Sequence, residues 1–516
     1  MSTQRTMNWW GWGFEDARPN AEQMASMIVE RIGFGSTDIE QPVALESIEL
    51  PPPRIETPFE TSKIDRMRHA YGRSYPDTVR AFRGQFDNPP DAVLYAESEQ
   101  DIEHALEWAS SANAAVIPYG GGTSVCGGVE PAVSDRYDGV ISLDLSRMDR
   151  VLEVDQVSRA ALIQAGPTGP SLEAQLAEHD MTMRFFPQSF ELATLGGMIA
   201  TRAGGHFATV WTHIDDLVES VRAISPVGVW ESRRLPGSGA GPSPDRMLLG
   251  SEGTLAVITQ AWMRIQPRPK YRASRAVHFE SFLQGAEAVR ELSQSGLHPS
   301  NCRLVDALEA YQTGVGDGKQ SLLVLGFEST DHPVEHQLVR GLEICVDHGG
   351  VAEQPREGDA VTAWREAFLA MPYMRDVLLQ CAILGDTFET AVTWDRFPSF
   401  HEAVMSAATE ALGEPCRVSC RFTHMYPDGP APYYTFLVPA RIGDELAQWH
   451  EVKTAASDAI IANGATITHH HAVGRDHRPW YDRQRPDVFA RALRGAKDAV
   501  DPHGLLNPGV LLASPS

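Results

Sequence analysis

Residues 114–131 read AAVIPYGGGTSVCGGVEP, and this stretch constrains the chain more than any other. The apolar run at 115–117 reads as a buried strand that Pro118 brings to an end. Gly120, Gly121 and Gly122 follow without a break, then Thr123 and Ser124, then Gly127 and Gly128. Consecutive glycines remove the Cβ atoms that keep a ligand away from the backbone, and they permit positive φ. Successive N–H groups can then converge on an anion, and the two hydroxyls add donors at the same place. A plain glycine-rich turn between strands has the same composition. The spacing is neither GxGxxG nor a P-loop.

Charge narrows what this loop can serve. With 68 acidic and 44 basic residues the formal net charge is -24, a balance that repels nucleic acid and anionic lipid. A phosphate-bearing ligand therefore has to be held by particular Arg or His residues. The cysteines at 126, 302, 345, 381, 416 and 420 form no C-x-x-C pair, which points to free thiols in a reducing cytoplasmic compartment, without disulfides or a zinc site. No apolar run approaches the ~20 residues of a membrane span. The opening MSTQRTMNWWGWGF has no apolar core of signal-peptide length.

Along the chain, Trp9, Trp10, Trp12 and Phe14 make an aromatic arm expected to pack on the body or on a second subunit in preference to anchoring at a membrane interface. Residues 21–32 have helical spacing and 51–58 read as a Pro-rich linker. Arg66, Arg68, Arg73, Arg80 and Arg83 are expected on a solvated face by default, with a few able to reach a cofactor phosphate. From 91 onward strands and helices alternate: a strand at 92–95, then an amphipathic helix over 98–112 with Ser98 as N-cap and Asp101 three residues on. The strands at 139–144, 151–154 and 160–165 have the short spacing of antiparallel neighbours, and 171–179 is helical. This is an α+β layout with a small βαβ start, not a repeating doubly wound one. A second glycine-rich cluster spans 187–206 (PQSFELATLGGMIATRAGGH) and a third 248–259 (LLGSEGTLAVIT), each beside a predicted strand or helix start.

The three clusters in this order resemble the flavin-binding (PCMH-type) domain of the vanillyl-alcohol oxidase superfamily, and within it the alkyldihydroxyacetonephosphate synthase family. The resemblance runs from about residue 68 to 512. It implies FAD, with a two-part FAD-binding domain and a cap domain built on an antiparallel sheet with flanking helices. It assigns Pro118, Tyr119, Gly120, Gly121, Gly122, Thr123, Ser124, Gly127 and Gly128 to the pyrophosphate loop. Ser189, Thr194, Gly196, Gly197 and Thr201 are placed along the flavin, with Glu252, Gly253 and Ile258 closing the site. Members with covalent flavin often carry a His in the first loop; Thr123 stands here, so non-covalent FAD is expected. The units expected are an N-terminal arm (1–86), the FAD domain (87–268), a cap (269–460) and a C-terminal segment returning to the FAD site (461–516). A homodimer with at most peripheral membrane contact is implied, and no nucleic acid.

In the second half, 281–293 and 336–347 read as helices, while 321–327 and 375–388 contain strand-like runs. Arg303 sits inside an apolar strand, so it either pairs with a carboxylate such as Asp306 or faces an anionic ligand. The resemblance turns Arg303 and Arg375 toward a substrate phosphate. Residues 420–436 form a hairpin about Pro427-Asp428-Gly429, with Tyr433 and Tyr434 on opposite faces. A helix over 451–463 ends at Asn463-Gly464. His469, His470 and His471 follow. If the run is extended, only His469 and His471 share a face, and no helical metal spacing exists, so a polar active-site wall is expected and no metal. The family carries this triplet followed by Gly-Val-Gly-Lys; here Ala472 and Arg475 replace the first Gly and the Lys. The implied reaction exchanges the acyl group of acyl-dihydroxyacetone phosphate for a long-chain alcohol. FAD acts in it as a covalent trap, Tyr433 as proton acceptor made more acidic by cationic neighbours, and the histidines as supports. A flavin dehydrogenase for D-lactate or glycolate, and a flavin protein without turnover, are the other readings.

Overall fold

The computed structural model describes residues 5–354 and 360–514. The strand before the first glycine loop, Ala114–Tyr119, lies at one edge of a three-stranded parallel sheet, with Gly139–Asp144 between it and Ala92–Tyr95. The expected antiparallel pairing of 139–144 is thus corrected. The helix Glu99–Ser111 carries the chain over the sheet and leaves a gap that the later strand fills. That helix starts where expected, with a reciprocal Ser98–Asp101 capping box, and its face of Ile102, Ala105, Leu106 and Ala109 is buried. Val151–Asp155 and Ala160–Gln164 do pair antiparallel, in a five-stranded sheet with Val257–Arg264, Val218–Ser225 and Gly228–Glu231.

The cap is a seven-stranded sheet whose mapped ladders are all antiparallel, in the order Val351–Ala352, Tyr271–Phe279, Ser321–Ser329, Asn301–Val305, Arg417–Met425, Pro430–Pro439, Ile383–Glu389. Period-two alternation divides its central strands cleanly. Cys302, Leu304, Cys420, Phe422, Tyr434 and Phe436 join the core under the helices Phe282–Gln294 and Phe397–Leu412. Arg303, Arg421, Thr423 and Tyr433 occupy the alternate positions, and Arg303, Thr423 and Tyr433 line a cavity between this sheet and the glycine loops. The register slips between Phe422 and His424, so two successive residues, Thr423 and His424, both reach that cavity.

Two expectations fail for stated reasons. Residues 375–380 end the helix Ala360–Gln380 rather than forming a strand, and the strand begins only at Ile383. The apolar residues there follow a period of four: Val377 and Cys381 pack against Ala21, Ala25, Ile28 and Ile32 of the helix Ala21–Ile32. The arginines of 66–83 are not a solvated face. Arg66 and Arg73 are buried, Arg80 is paired with Glu130 and Asp77, and Arg83 with Glu40 and Glu445. The aromatic arm packs on the body: the Trp10 ring meets Phe82 edge-on at 4.9 Å, and the Trp12 N–H donates to Asp376 at 2.9 Å.

The C-terminal segment closes the FAD half. Leu506 bridges Val116 in parallel, beside the helix Asp487–Val500. The buried Lys497 ammonium there donates to Asp501 Oδ2 (2.5 Å), Thr254 O (2.6 Å) and Leu506 O (2.8 Å), tying the third glycine cluster to the chain end. Lys497→Met leaves Asp501 buried without its countercharge, so the thermal midpoint should fall by on the order of 5 °C or more in a melting scan. An unchanged midpoint would show that the tie contributes nothing.

Candidate active site

The cavity brings the three glycine clusters onto one side. Residues 118–124 and Gly128 line it from the first, Ser189, Thr194, Gly196, Gly197 and Thr201 from the second, and Glu252, Gly253 and Ile258 from the third. Of the cofactor positions expected from sequence, Gly127 is not on this wall; at φ +69 it serves the turn behind it.

The reason for the glycines differs from the expectation. A Cβ on Gly121 would stand 1.8 Å from the Leu192 carbonyl oxygen, and one on Gly120 2.1 Å from Thr194 Oγ1. Close approach of the first loop to the second, not to a ligand, forbids a side chain there. The ligand's share shows in the donors: among the described residues the N–H groups of 121–124 make no hydrogen bond to protein, although they lie on the cavity wall. Four successive unpaired N–H groups are what a pyrophosphate needs. Gly197, whose Cβ position has only Thr194 Oγ1 at 3.2 Å, leaves room beside it. The residues present fit FAD.

Sequence reasoning missed what locks the clusters together. Asn507 donates from Nδ2 to Gly128 O (3.0 Å) and Glu252 O (2.7 Å), joining first and third clusters. The Glu252 carboxyl, pushed up to about 7 by burial, accepts from the N–H groups of Val473 (2.9 Å) and Gly474 (2.8 Å). Ala472, where the family has Gly, sits at φ +67, a conformation that glycine holds without strain. Arg475 donates to the carbonyls of Glu130 and Pro508, at 3.1 and 2.9 Å, and is a structural tie.

Across the cavity stands the cap. Arg303 is 2% exposed, and burial followed by the nearby Arg421 charge brings its guanidinium down to about 9. Its Nη2 donates to His206 O at 3.4 Å. Asp306 is engaged elsewhere, accepting from the N–H groups of Glu309 (2.7 Å) and Cys420 (2.6 Å). Arg375 reaches the wall from its helix, with Nη2 on Arg73 O at 2.8 Å. The Tyr433 hydroxyl donates to Thr387 Oγ1 at 3.0 Å. Tyr434, on the opposite face as expected, is fully buried and stacks on Phe388. Arg421, paired with Glu309 at 2.5 Å, lies 4.0 Å over the Tyr433 ring. Burial outweighs that cation and raises the Tyr433 phenol pKa, so the expected acidification by neighbours does not occur.

The histidine run is a turn, not a strand, and the alternation argued from an extended run does not apply. Its organiser is Glu389, at the end of the strand Ile383–Glu389 and 2% exposed. The carboxylate accepts from the N–H groups of His469 (2.8 Å), His470 (3.2 Å) and His471 (3.0 Å) and from the Thr468 hydroxyl (2.5 Å). Burial opposes its ionisation, yet the rings of His470, His471 and His469 and the Thr468 hydroxyl outweigh it and hold the carboxyl well below the usual range. His470 and His471 line the cavity, and His469 turns away from it. Burial, the largest effect on each, lowers the pKa of all three rings, against the pull of the Glu389 carboxylate. Ring nitrogens of His424, His469 and His470 lie within 4.8 Å of one another, a grouping of metal-holding size that linear spacing does not reveal.

Replacing Glu389 by Gln should cost stability in a pH-dependent way. A depressed carboxyl contributes stability that is fully present above its unfolded value of about 4.3 and lost as pH falls through the lower folded value. The wild type should therefore exceed Glu389→Gln most near neutrality, and the gap in thermal midpoint should close only in strong acid. A gap independent of pH would refute the assignment.

The comparisons agree with this geometry. Residues 90–232 match the family model "FAD binding domain" and residues 268–511 match "FAD linked oxidases, C-terminal domain". The chain is 30% identical to an alkyldihydroxyacetonephosphate synthase of Trypanosoma brucei brucei, over 90% of this chain and 82% of the relative. It is 29% identical to that of Dictyostelium discoideum, over 88% and 78%. A glycolate oxidase subunit of Bacillus subtilis is 24% identical over 88% and 94%. A solved alkyldihydroxyacetonephosphate synthase superposes with a TM-score of 0.81 at 24% identity, over 97% and 98% of the two chains, and p-cresol methylhydroxylase with 0.67 at 15%, over the same shares. The chain belongs to the alkyldihydroxyacetonephosphate synthase family and is an FAD-dependent enzyme.

Proposed function

We propose that the enzyme exchanges the acyl group of acyl-dihydroxyacetone phosphate for a long-chain alcohol, releasing a fatty acid and forming alkyl-dihydroxyacetone phosphate. The observation that carries this reading is one cavity wall holding Arg303, Arg375, Tyr433, His470 and His471 opposite the glycine loops. Residues 118–124 and Gly128, with Ser189, Thr194, Gly196, Gly197, Thr201, Glu252, Gly253 and Ile258, hold the cofactor. Thr123 offers no imidazole for attachment, so the flavin is non-covalent. When bound, FAD supplies an electron-accepting ring beside the substrate carbon. The chain's own residues do the rest. Arg303 and Arg375 bind the phosphate, a role that suits planar two-pronged donors in a protein of net charge -24. Tyr433 takes the proton from the carbon that loses its acyl group. A buried phenol acts as a base only once its own proton has left, and the imidazole beside it, His470, has its ring stacked on Tyr433 at 5.9 Å. The family resemblance carries a homodimer and peripheral contact with a membrane; among the described residues no helix is long and apolar enough to cross one.

Two measurements test this. With acyl-dihydroxyacetone phosphate and a labelled long-chain alcohol, label should enter an ether-linked product, while D-lactate or glycolate should give no sustained reduction of an artificial acceptor. Steady acceptor reduction without ether formation would replace the exchange by a dehydrogenase reaction. Tyr433→Phe should keep its acid-releasable flavin and its KM but lose turnover on the order of 10²–10⁴-fold. Near-native turnover would remove Tyr433 from the proton step.

A further inference from the structure

Behind the cavity wall three imidazoles stand in line. His470 Nδ1 is 3.1 Å from His469 Nδ1, and His469 Nε2 is 3.1 Å from His213 Nε2. His213 Nδ1 is 3.0 Å from the carbonyl oxygen of Arg202. His213 comes from the FAD half of the chain, just before the short turn Ile214–Asp216, and it does not line the cavity. Its ring is half-buried, next to Trp211, which is 37% exposed.

The carbonyl fixes the proton positions. A carbonyl oxygen only accepts, so His213 carries its proton on Nδ1 and, neutral, presents a lone pair at Nε2. The contact with His469 is then a hydrogen bond only if His469 donates from Nε2, which leaves its Nδ1 to accept. The 3.1 Å contact between the Nδ1 atoms in turn requires His470 to donate from Nδ1, and the Glu389 carboxylate, whose Oε2 is 3.4 Å from that nitrogen, favours the proton there as well. The side contact of Tyr426 Oη with His469 Nε2, at 2.7 Å, fits this order, because the phenol oxygen accepts and passes its own proton toward Thr212 Oγ1 at 2.9 Å. What remains is His470 Nε2. Among the described residues the ring's hydrogen bond is made from Nδ1, and the ring lies on the cavity wall. Glu389 holds the backbone of both inner histidines, which keeps the two rings in register.

We propose that His470, His469 and His213 form a proton relay leading from the cavity to the protein surface, with His213 as its outer terminus. A proton taken up at His470 Nε2 releases the one on Nδ1 to His469 Nδ1. The His469 Nε2 proton passes to His213 Nε2, and His213, now an imidazolium, parts from the Arg202 carbonyl and gives its Nδ1 proton to solvent. One proton enters and one leaves, and no ring is left charged. Return passage restores the starting tautomers, which suits an exchange in which the substrate carbon loses a proton and later regains one. The inference rests on the exchange reading for its purpose and not for its geometry.

The test separates the two. In the FAD-loaded enzyme labelled with ¹⁵N-histidine, nitrogen shifts should show His213 protonated at Nδ1, His469 at Nε2 and His470 at Nδ1, whatever the substrate. Any other arrangement overturns the relay, while an enzyme with this arrangement that forms no ether refutes only the exchange reading. His213→Ala should keep flavin content and KM but lose turnover by at least about tenfold, with saturable rescue by free imidazole. Tyr426→Phe, which removes only the side branch, should stay within about twofold of the wild type. Native turnover of His213→Ala, or a loss that imidazole does not repair, would overturn the relay. So would loss of turnover on chelation with recovery on adding zinc, since a metal on these nitrogens breaks the line.

Discussion

The active site depends on one buried carboxylate. Glu389 ends a cap strand, yet it gathers the backbone N–H groups of His469, His470 and His471, which belong to the segment running back to the FAD half. A carboxylate taken out of water is costly unless its oxygens are filled, and three N–H donors with the Thr468 hydroxyl fill them. The same contacts impose a turn on three successive histidines. Without them the run would be free to extend, and alternate rings would face away from the cavity. Cap and C-terminal segment are thus joined at the wall of the cavity.

A second set of ties acts on the cofactor side. The first glycine loop fits against Leu192 and Thr194 so closely that a Cβ at 120 or 121 has no space. Asn507 then reaches from the chain end to Gly128 and Glu252, while Glu252 holds Val473 and Gly474. Segments far apart in sequence share these hydrogen bonds, so the loop's free N–H groups at 121–124 are presented by a frame that the ligand does not need to organise. Such preorganisation spares a bound anion the entropy of ordering its own site.

How much of this was legible depended on the range of the interaction. Local rules gave the Ser98–Asp101 capping box, the helix stop at Asn463-Gly464, and the hairpin that sends Tyr433 and Tyr434 to opposite faces. They misjudged the 375–380 stretch, where a period of four that serves packing on another helix resembles a strand in a short window. They also misjudged the arginines of 66–83, because their carboxylate partners Glu130, Glu40 and Glu445 are remote in sequence. Glu389, Arg421 and Asn507 gave no signal for the same reason. Arg303 was conspicuous because it breaks an apolar strand. His213 was not, because nothing in the local sequence tells that an Arg202 carbonyl and a distant imidazole will bracket it.

The division of faces in the cap sheet separates the residues that hold the fold from those that face the cavity. Cys302, Leu304, Phe422, Tyr434 and Phe436 are fixed by packing under the helices, and changes there register as lost stability. Arg303, Arg421, Thr423 and Tyr433 alternate with them on the opposite face, outside that core, where Arg421 pairs with Glu309 and lies over the Tyr433 ring. The bulge that turns both Thr423 and His424 inward adds a position that strict alternation would deny. Ala472 belongs to the same account. Glycine at φ +67 is unstrained, so an alanine there survives because Glu252 and Glu389 grip the residues on either side. Glu389 holds the backbone on the histidine side of Ala472 and Glu252 holds it on the other, so backbone shape at this position is set by two buried carboxylates.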